Sequence, residues 1–368
     1  MVLLAKENML GEKFKISLSI VGVVLSIFLI LTLSGVYNGI GYVVERPILS
    51  VNVDLWVTSE GSYGSLHSPS LLPTGLEDRL SQIEGVAEVA PLIRIPKMVE
   101  INGEEYLIYV NGYNPGNTMG RPWKVIQGSL EPKTGEIIID RTVARKADLE
   151  IGDTLALGGK SLKVTGISDE TTLMIIFMAF VTYEDAVALL PPNITNFYTI
   201  RLAPDSSPTL VKEDIESSIP GVMVTSSEVF AEKYKKEILG AFLPIIFVLT
   251  AIGLLVGILM IGLLVYTLTM ERRKEYGVLK AIGATNHYLY KTVLVQALSI
   301  AILGSFLGIT ILPPILGVIQ DYVPEFVIRL SFDTQALVFL LTASSGFVAS
   351  LIPVKILTKI DPVLVFKE

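Results

Sequence analysis

Residues Leu243–Thr269, LPIIFVLTAIGLLVGILMIGLLVYTLT, contain no Asp, Glu, Lys, Arg or His. A helix needs about 20 mostly apolar residues to cross a hydrocarbon core of ~30 Å. In lipid a backbone must satisfy its own hydrogen bonds, so this stretch reads as a membrane-spanning helix. Residues 16–44, 292–320 and 334–354 are equally free of Asp, Glu, Lys and Arg, as is the wider window 238–270. They supply three further spans, Ile16–Val36, Val293–Ile319 and Ala336–Val354. Only 18% of the 368 residues are charged, against about 25% in ordinary soluble chains. The first apolar run follows Lys13 and Lys15 but exceeds the 7–15-residue core of a signal peptide, so it is expected to remain as an anchor.

Orientation follows from the basic residues of the short loops. Lys6, Lys13, Lys15, Arg272, Arg273, Lys274, Lys280, Lys291, Lys355, Lys359 and Lys367 fall on one side, and Arg329 alone on the other. Both termini and the 270–291 loop are therefore expected in the cytoplasm. The fold class is a multi-pass α-helical membrane protein with four spans, N-in and C-in, and a large α+β extracytoplasmic domain inserted between spans one and two. The expected segments are 1–15 (cytoplasmic), 16–37 (span one), 38–239 (outer domain with a helical stalk), 240–270 (span two), 271–287 (cytoplasmic coupling loop), 288–319 (span three), 320–334 (short outer loop), 335–355 (span four) and 356–368 (cytoplasmic tail). The expected location is the cell membrane.

Residues 38–237 carry 27 acidic and 17 basic side chains, a net of −10 within a chain of −7. This is the water-soluble part, long enough for its own core. Leu49–Thr58 alternates like a half-buried strand, and Ser59–Pro73 reads as a Gly/Ser/Pro loop. A short helix is predicted over Gly75–Ile83. Strands are predicted at Val86–Pro96, Glu104–Val110, Glu136–Asp140 and Gly221–Thr225, with a hairpin of Thr154–Leu157 and Ser161–Ile167. Helices are predicted at Arg141–Asp148 and Pro208–Ser218, and Ser226–Leu239 reads as a helical stalk leading into span two. The uncharged run Thr171–Tyr183 is either a pair of core strands or an exposed apolar tip. In the second case Ile175, Ile176 and Phe177 are the candidate external contacts.

Much chemistry is excluded. The chain has no cysteine and only two histidines, His67 and His287, far apart, so no catalytic residue and no metal site is assigned. No phosphate-binding loop, dinucleotide fingerprint, nucleophile elbow or zinc-protease motif is present. A net charge of −7 and a pI near 5.1 give no support for a nucleic-acid partner. The spans lack Asp, Glu and His, which weakens ion-coupled transport. Small residues at four-residue spacing recur instead: Gly22 and Ser26, Gly253 and Gly257, Gly304 and Gly308. They allow close helix approach in lipid, either within one bundle or between two copies.

Past span two the chain reads Glu271-Arg272-Arg273-Lys274-Glu275-Tyr276-Gly277-Val278-Leu279-Lys280-Ala281-Ile282-Gly283-Ala284-Thr285. Val278, Leu279 and Ile282 form an apolar stripe at helical spacing, Gly283 can end that helix, and Thr285 or Asn286 can cap the next. A short amphipathic cytoplasmic helix is expected. This stretch resembles the loop signature of FtsX-like ABC transporter permeases. The ending Ile352–Val363 is similar to the same family's C-terminal motif, and Gly128–Leu130 with Glu136–Val164 is similar to a MacB-type extracytoplasmic core domain. The resemblance implies a non-catalytic membrane subunit working as a homo- or heterodimer, in contact with membrane lipids. ATP and Mg²⁺ would be bound by a separate cytoplasmic ABC ATPase, and its motion would be relayed to the outer domain, where an adaptor could bind. On family correspondence Glu271, Arg272, Arg273, Glu275, Gly277, Leu279, Ile282, Gly283 and Ala284 are the residues expected to couple to the ATPase. Export or extraction of a lipophilic, peptide or lipoprotein substrate is one expected outcome. Control of an extracytoplasmic partner such as a cell-wall hydrolase is the other.

Overall fold

Among the described residues, four helices are long and apolar enough to cross a membrane: α1 (Lys13–Leu49), α6 (Ser227–Glu271), α8 (Asn286–Tyr322) and α9 (Phe332–Thr358). They belong to a computed structural model that describes residues 13–62, 69–173, 176–323 and 327–358. The chain divides into two units, one of Met1–Gly39, Phe242–Val323 and Ile328–Glu368, the other of Ile40–Ala241 and Pro324–Val327.

In the first unit α1 packs against both α6 and α8. Its Val23, Ile27, Ile30 and Leu31 are fully buried, together with Ile261 and Val265 of α6 and Val293, Ala297 and Ile300 of α8. α9 closes on α8, where the Ser305 and Thr342 hydroxyls lie 2.7 Å apart.

The second unit is an α+β head. Its remaining elements, in chain order, are β1 (Leu55–Ser59), β2 (Leu72–Pro73), α2 (Glu77–Ser81), β3 (Val86–Ile101), β4 (Glu104–Tyr113), β5 (Val125–Gly128), β6 (Glu136–Asp140), α3 (Arg141–Lys146), β7 (Thr154–Leu157), β8 (Lys160–Ser168), β9 (Thr172–Leu173), β10 (Ile176–Thr182), α4 (Tyr183–Val187), β11 (Ile194–Thr195), β12 (Phe197–Leu202), α5 (Pro208–Ser218) and β13 (Val222–Ser226). The main sheet runs β13-β1-β12-β3-β4-β10-β6-β8-β5, with β7 on β8 and β9 on β10. β3 is long enough to serve two lobes. Val86–Leu92 pairs with β12, and Ile93–Ile101 pairs with β4. One lobe buries Leu55, Val57, Leu80, Tyr198, Ile200 and Ile215; the other buries Ile93, Ile108, Val110, Ile137, Val164 and Val181.

One expectation changes and one alternative is decided. Leu49–Thr58 does not open a strand: α1 continues to Leu49 and β1 starts at Leu55. Nothing between Asn38 and Glu45 breaks the helix; Pro47, which lacks an N–H, falls in its last turn. Asn52 then takes φ +60° and turns the chain. Of the two readings for Thr171–Tyr183, the described residues form the core strand pair, β9 with β10. Phe177 is buried beside Tyr106, ring centroids 6.2 Å apart, so it is no external contact. Ile176 is half-buried, and Ile175 lies outside the described residues.

Candidate functional site

The stretch that ends α6 forms a helix of its own. Arg272 leaves helical geometry (φ −99°, ψ 20°), and α7 (Arg273–Ala281) follows at once. Arg272 Nη1 donates to Glu275 Oε2 at 3.2 Å, and Lys15 Nζ of α1 donates to Glu271 Oε1 at 2.5 Å. On the inner face of α7, Tyr276 is 1% exposed and sits in the core of the membrane unit, with Gly277 buried and Leu279 packed against the same core.

The C-terminal end of α7 is closed by its own backbone. Ala284 N–H donates to the Leu279 carbonyl at 2.8 Å, and Gly283 N–H to the Lys280 carbonyl at 3.1 Å. This is the paired bonding of a Schellman motif. Gly283 has φ +101°, a conformation that a β-carbon opposes. Thr285 Oγ1 then accepts from Tyr288 N–H at 3.3 Å and caps α8. Leu279, Gly283 and Ala284 of the loop signature therefore shape the helix end.

Glu271, Glu275, Val278 and Ile282 are exposed, Ile282 at 77%. The spacing of three and four places Glu275, Val278 and Ile282 along one ridge of α7 and its C-terminal cap, while Glu271 ends α6 across the break at Arg272. Arg273 and Lys274 are exposed beside it. Val278, Leu279 and Ile282, expected on one stripe, fall on two faces, because Leu279 turns inward with Tyr276. Tyr276 and Lys15 were not singled out from sequence. Tyr276 lies three residues before Leu279, the i,i+3 spacing that marks a shared face; Lys15 is distant in sequence and gives no such signal.

The six small residues of the spans pack within this chain. A β-carbon on Gly22 would lie 2.5 Å from Met260 Cε. On Gly253 it would lie 3.2 Å from Ile30 Cγ1, and on Gly257 3.2 Å from Ser26 Oγ. On Gly304 it would lie 2.7 Å from Val23 Cγ1, and on Gly308 2.9 Å from Ile27 Cδ1. α1 thus rests in two glycine-lined grooves, one on α6 and one on α8.

In the head, two arginines hold the end of α1. Arg94 of β3 donates from Nε to Asn111 Oδ1 at 2.7 Å and from Nη2 to the Pro47 carbonyl at 2.9 Å. Its guanidinium lies over Trp56, 5.7 Å from the ring centroid, and burial lowers its pKa to about 10. Trp56 packs in turn on Phe230 of α6, centroids 5.1 Å apart. Arg46 donates to Tyr42 Oη at 2.7 Å and also to Glu170 Oε2. Hydrogen bonds from Lys124 and from Arg46 hold the Glu170 carboxyl down at about 2. Lys235 of α6 donates to Glu45 of α1 at 3.0 Å.

Residues 17–218 match the MacB-like periplasmic core domain, and residues 242–362 match the FtsX-like permease C-terminal region. An uncharacterized ABC transporter permease of Mycobacterium tuberculosis is 25% identical over 372 residues, covering 100% of this chain and 99% of the relative. The macrolide export ATP-binding/permease protein MacB of Shigella boydii is 22% identical over 289 residues, covering 72% of this chain and 42% of that protein. The crystallised periplasmic region of MacB from Actinobacillus actinomycetemcomitans superposes with a TM-score of 0.39 at 12% identity, over 50% of this chain and 92% of that structure.

Proposed function

Since the chain belongs to the ABC transporter permeases that combine a MacB-like periplasmic core domain with an FtsX-like permease C-terminal region, we propose that it relays work from a cytoplasmic ATPase to its head. The protein is a multi-pass membrane permease whose large domain lies outside the cytoplasm. In the proposed arrangement both termini and α7 are cytoplasmic, as the basic residues of the short loops favour. A separate ABC ATPase holds ATP and Mg²⁺. The α7 ridge of Glu275, Val278 and Ile282 docks on it, with Glu271 at the end of α6 beside it, two apolar side chains giving the grip and the carboxylates the orientation. A second permease, of the same or a different sequence, completes the complex.

The observation that carries this reading is the ridge itself. An isolated Ile at 77% exposure gains nothing in water, whereas a partner that covers it gains the full apolar transfer energy, roughly 1.5–3 kcal/mol. α1 and α6 then serve as stalks. At 1.5 Å per residue they are about 55 and 67 Å long, well beyond a ~30 Å hydrocarbon core. The outer task is export or extraction of a lipophilic, peptide or lipoprotein cargo, and the macrolide exporter among the relatives makes a lipophilic molecule the first class to test.

Co-expression of the full chain with its cognate ABC ATPase tests the docking. Ile282→Asp with Val278→Asp is expected to release the ATPase during affinity purification while the permease stays in the membrane at wild-type abundance. Retention of the ATPase with unchanged hydrolysis by the complex would remove the ridge from the mechanism.

A further inference from the structure

The head contains a cleft of about 350 Å³, within the ~300–1,000 Å³ range of small-molecule sites. It opens just after α1 ends, and its lining is chemically mixed. Trp123, Val125 and Leu130 are apolar lining residues, with Leu130 64% exposed. Asn52, Thr118 and Arg121 are polar ones. Asn52 and Thr118 are fixed by Arg201, whose Nη2 donates to Thr118 Oγ1 at 2.7 Å and to the Asn52 carbonyl at 3.2 Å. Glu88 already neutralises Arg201, accepting from Nη1 at 2.7 Å. The Trp123 indole is held too, donating to the Glu170 carbonyl at 3.2 Å and lying edge-on to Phe180 at 6.0 Å.

Arg121 is different. Among the described residues it forms no ion pair, and no carboxylate lines the cleft. An exposed guanidinium without an ion pair thus shares the cleft with apolar side chains in a domain of net charge −10. We propose that this cleft binds an amphipathic anion, a carboxylate or phosphate head on Arg121 with an apolar body laid on Trp123 and Leu130. Guanidinium recognises both oxyanions through charge-assisted hydrogen bonds, and the surrounding acidic surface repels anions elsewhere. The same chemistry fits a lipid headgroup or a soluble amphiphile. The inference stands apart from ATPase docking, since it uses only residues of the head.

Trp123 reports its own cleft, because the chain has two tryptophans and the other, Trp56, is fully buried. Octanoate titrated against the full chain in phosphatidylcholine nanodiscs is expected to change the tryptophan emission saturably, with octylamine and octanol inactive. Trp123→Phe should abolish the signal. Arg121→Gln should raise the half-saturating concentration roughly tenfold, the loss of one charge-assisted hydrogen bond, with thermal unfolding unchanged. Competition by phosphatidylglycerol in the nanodisc assigns the site to a lipid headgroup, and its absence to a soluble amphiphile; either supports the proposal. An equal response to octylamine, or an unaltered response in Arg121→Gln, would reduce the effect to apolar partitioning and overturn it.

Discussion

In the membrane unit α1 meets its neighbours through glycines, Gly253 and Gly257 on one side and Gly304 and Gly308 on the other. In the head, β3 and β4 meet theirs through Ile93, Ile108, Val110 and Val181. The contrast follows from solvent. Lipid tails are as apolar as leucine, so helices in lipid gain little by burying large side chains and associate by close approach. The head folds in water, where apolar area removed from solvent is the main driving force. Polar groups differ likewise. Hydroxyls of the membrane helices are held by their own backbone, as when Thr269 Oγ1 donates to the Val265 carbonyl at 2.6 Å, or by a short side chain across a close contact, as with Ser305 and Thr342. The head extends long arginine side chains across elements, from Arg94 to Asn111 and Pro47.

The sharpest way to break this comparison is to fill the grooves. Gly304→Leu should cost the membrane unit 1–3 kcal/mol or more, about the penalty of overpacking, and lower its thermal unfolding temperature in detergent. Gly317→Leu on the same helix should be near neutral, because nothing lies within 4 Å of its β-carbon position. Equal effects would mean that helix propensity rather than groove packing decides. Gly253→Leu should behave like Gly304→Leu and leave crosslinking between two copies unchanged at equal folded protein, since its contacts are with Leu29 and Ile30 of its own chain.

The head is weakest where its arginine is removed. Arg94→Met leaves the Asn111 side chain, 1% exposed, without its donor, at a cost of about 1–3 kcal/mol. Thermal unfolding followed by near-UV dichroism of Trp56 should show the loss, and Arg94→Lys should restore only part of it. A silent Arg94→Met would show that the clamp contributes nothing to the head. A smaller effect, about 1–2 kcal/mol, is expected for Gly283→Ala, whose φ of +101° disfavours a β-carbon. It should appear as faster amide exchange of Lys280 to Ala284, with the rest of the membrane unit unchanged.

The smallest effect is electrostatic. Glu170 is held at about 2 by Lys124 and Arg46, below the ~4.3 of an unfolded glutamate. Its stabilisation is complete above that unfolded value and disappears as pH falls through about 2. Its side chain is 42% exposed, so solvent keeps the amount small. Between pH 4.3 and 2 the parent should lose stability slightly faster than Glu170→Gln in acid unfolding; parallel curves would dismiss the pairing.

The sequence declares most of this architecture because lipid imposes a strict rule. Charge must vanish for about 20 residues, and α6, α8 and α9 obey it visibly. Strands flanked by clear turns, such as Glu136–Asp140 and the Gly158–Gly159 hairpin, were equally legible. β12 and the true start of β1 were not. The alternation of Leu49–Thr58 runs from the end of α1 into β1 and so cannot mark where the strand starts, whereas β12 is buried on both faces at Phe197, Tyr198, Thr199 and Ile200, which erases alternation. At the candidate site, spacing located the helix and Gly283 its end. It could not separate Leu279 from Val278 and Ile282, because which face turns inward depends on Tyr276 reaching the core of helices distant in sequence. The cleft at Arg121 left no sequence signal: Asn52, Thr118 and Leu130 meet only through the fold.

The relay requires the head and the α7 ridge to lie on opposite sides of the membrane. The chain has no cysteine, so single cysteines can be placed at will, Glu213→Cys in the head and Ile282→Cys on the ridge, both at exposed positions. Labelling of intact cells with a membrane-impermeant maleimide should modify Glu213→Cys at once and Ile282→Cys only after permeabilisation. Equal labelling of both before permeabilisation would contradict the account.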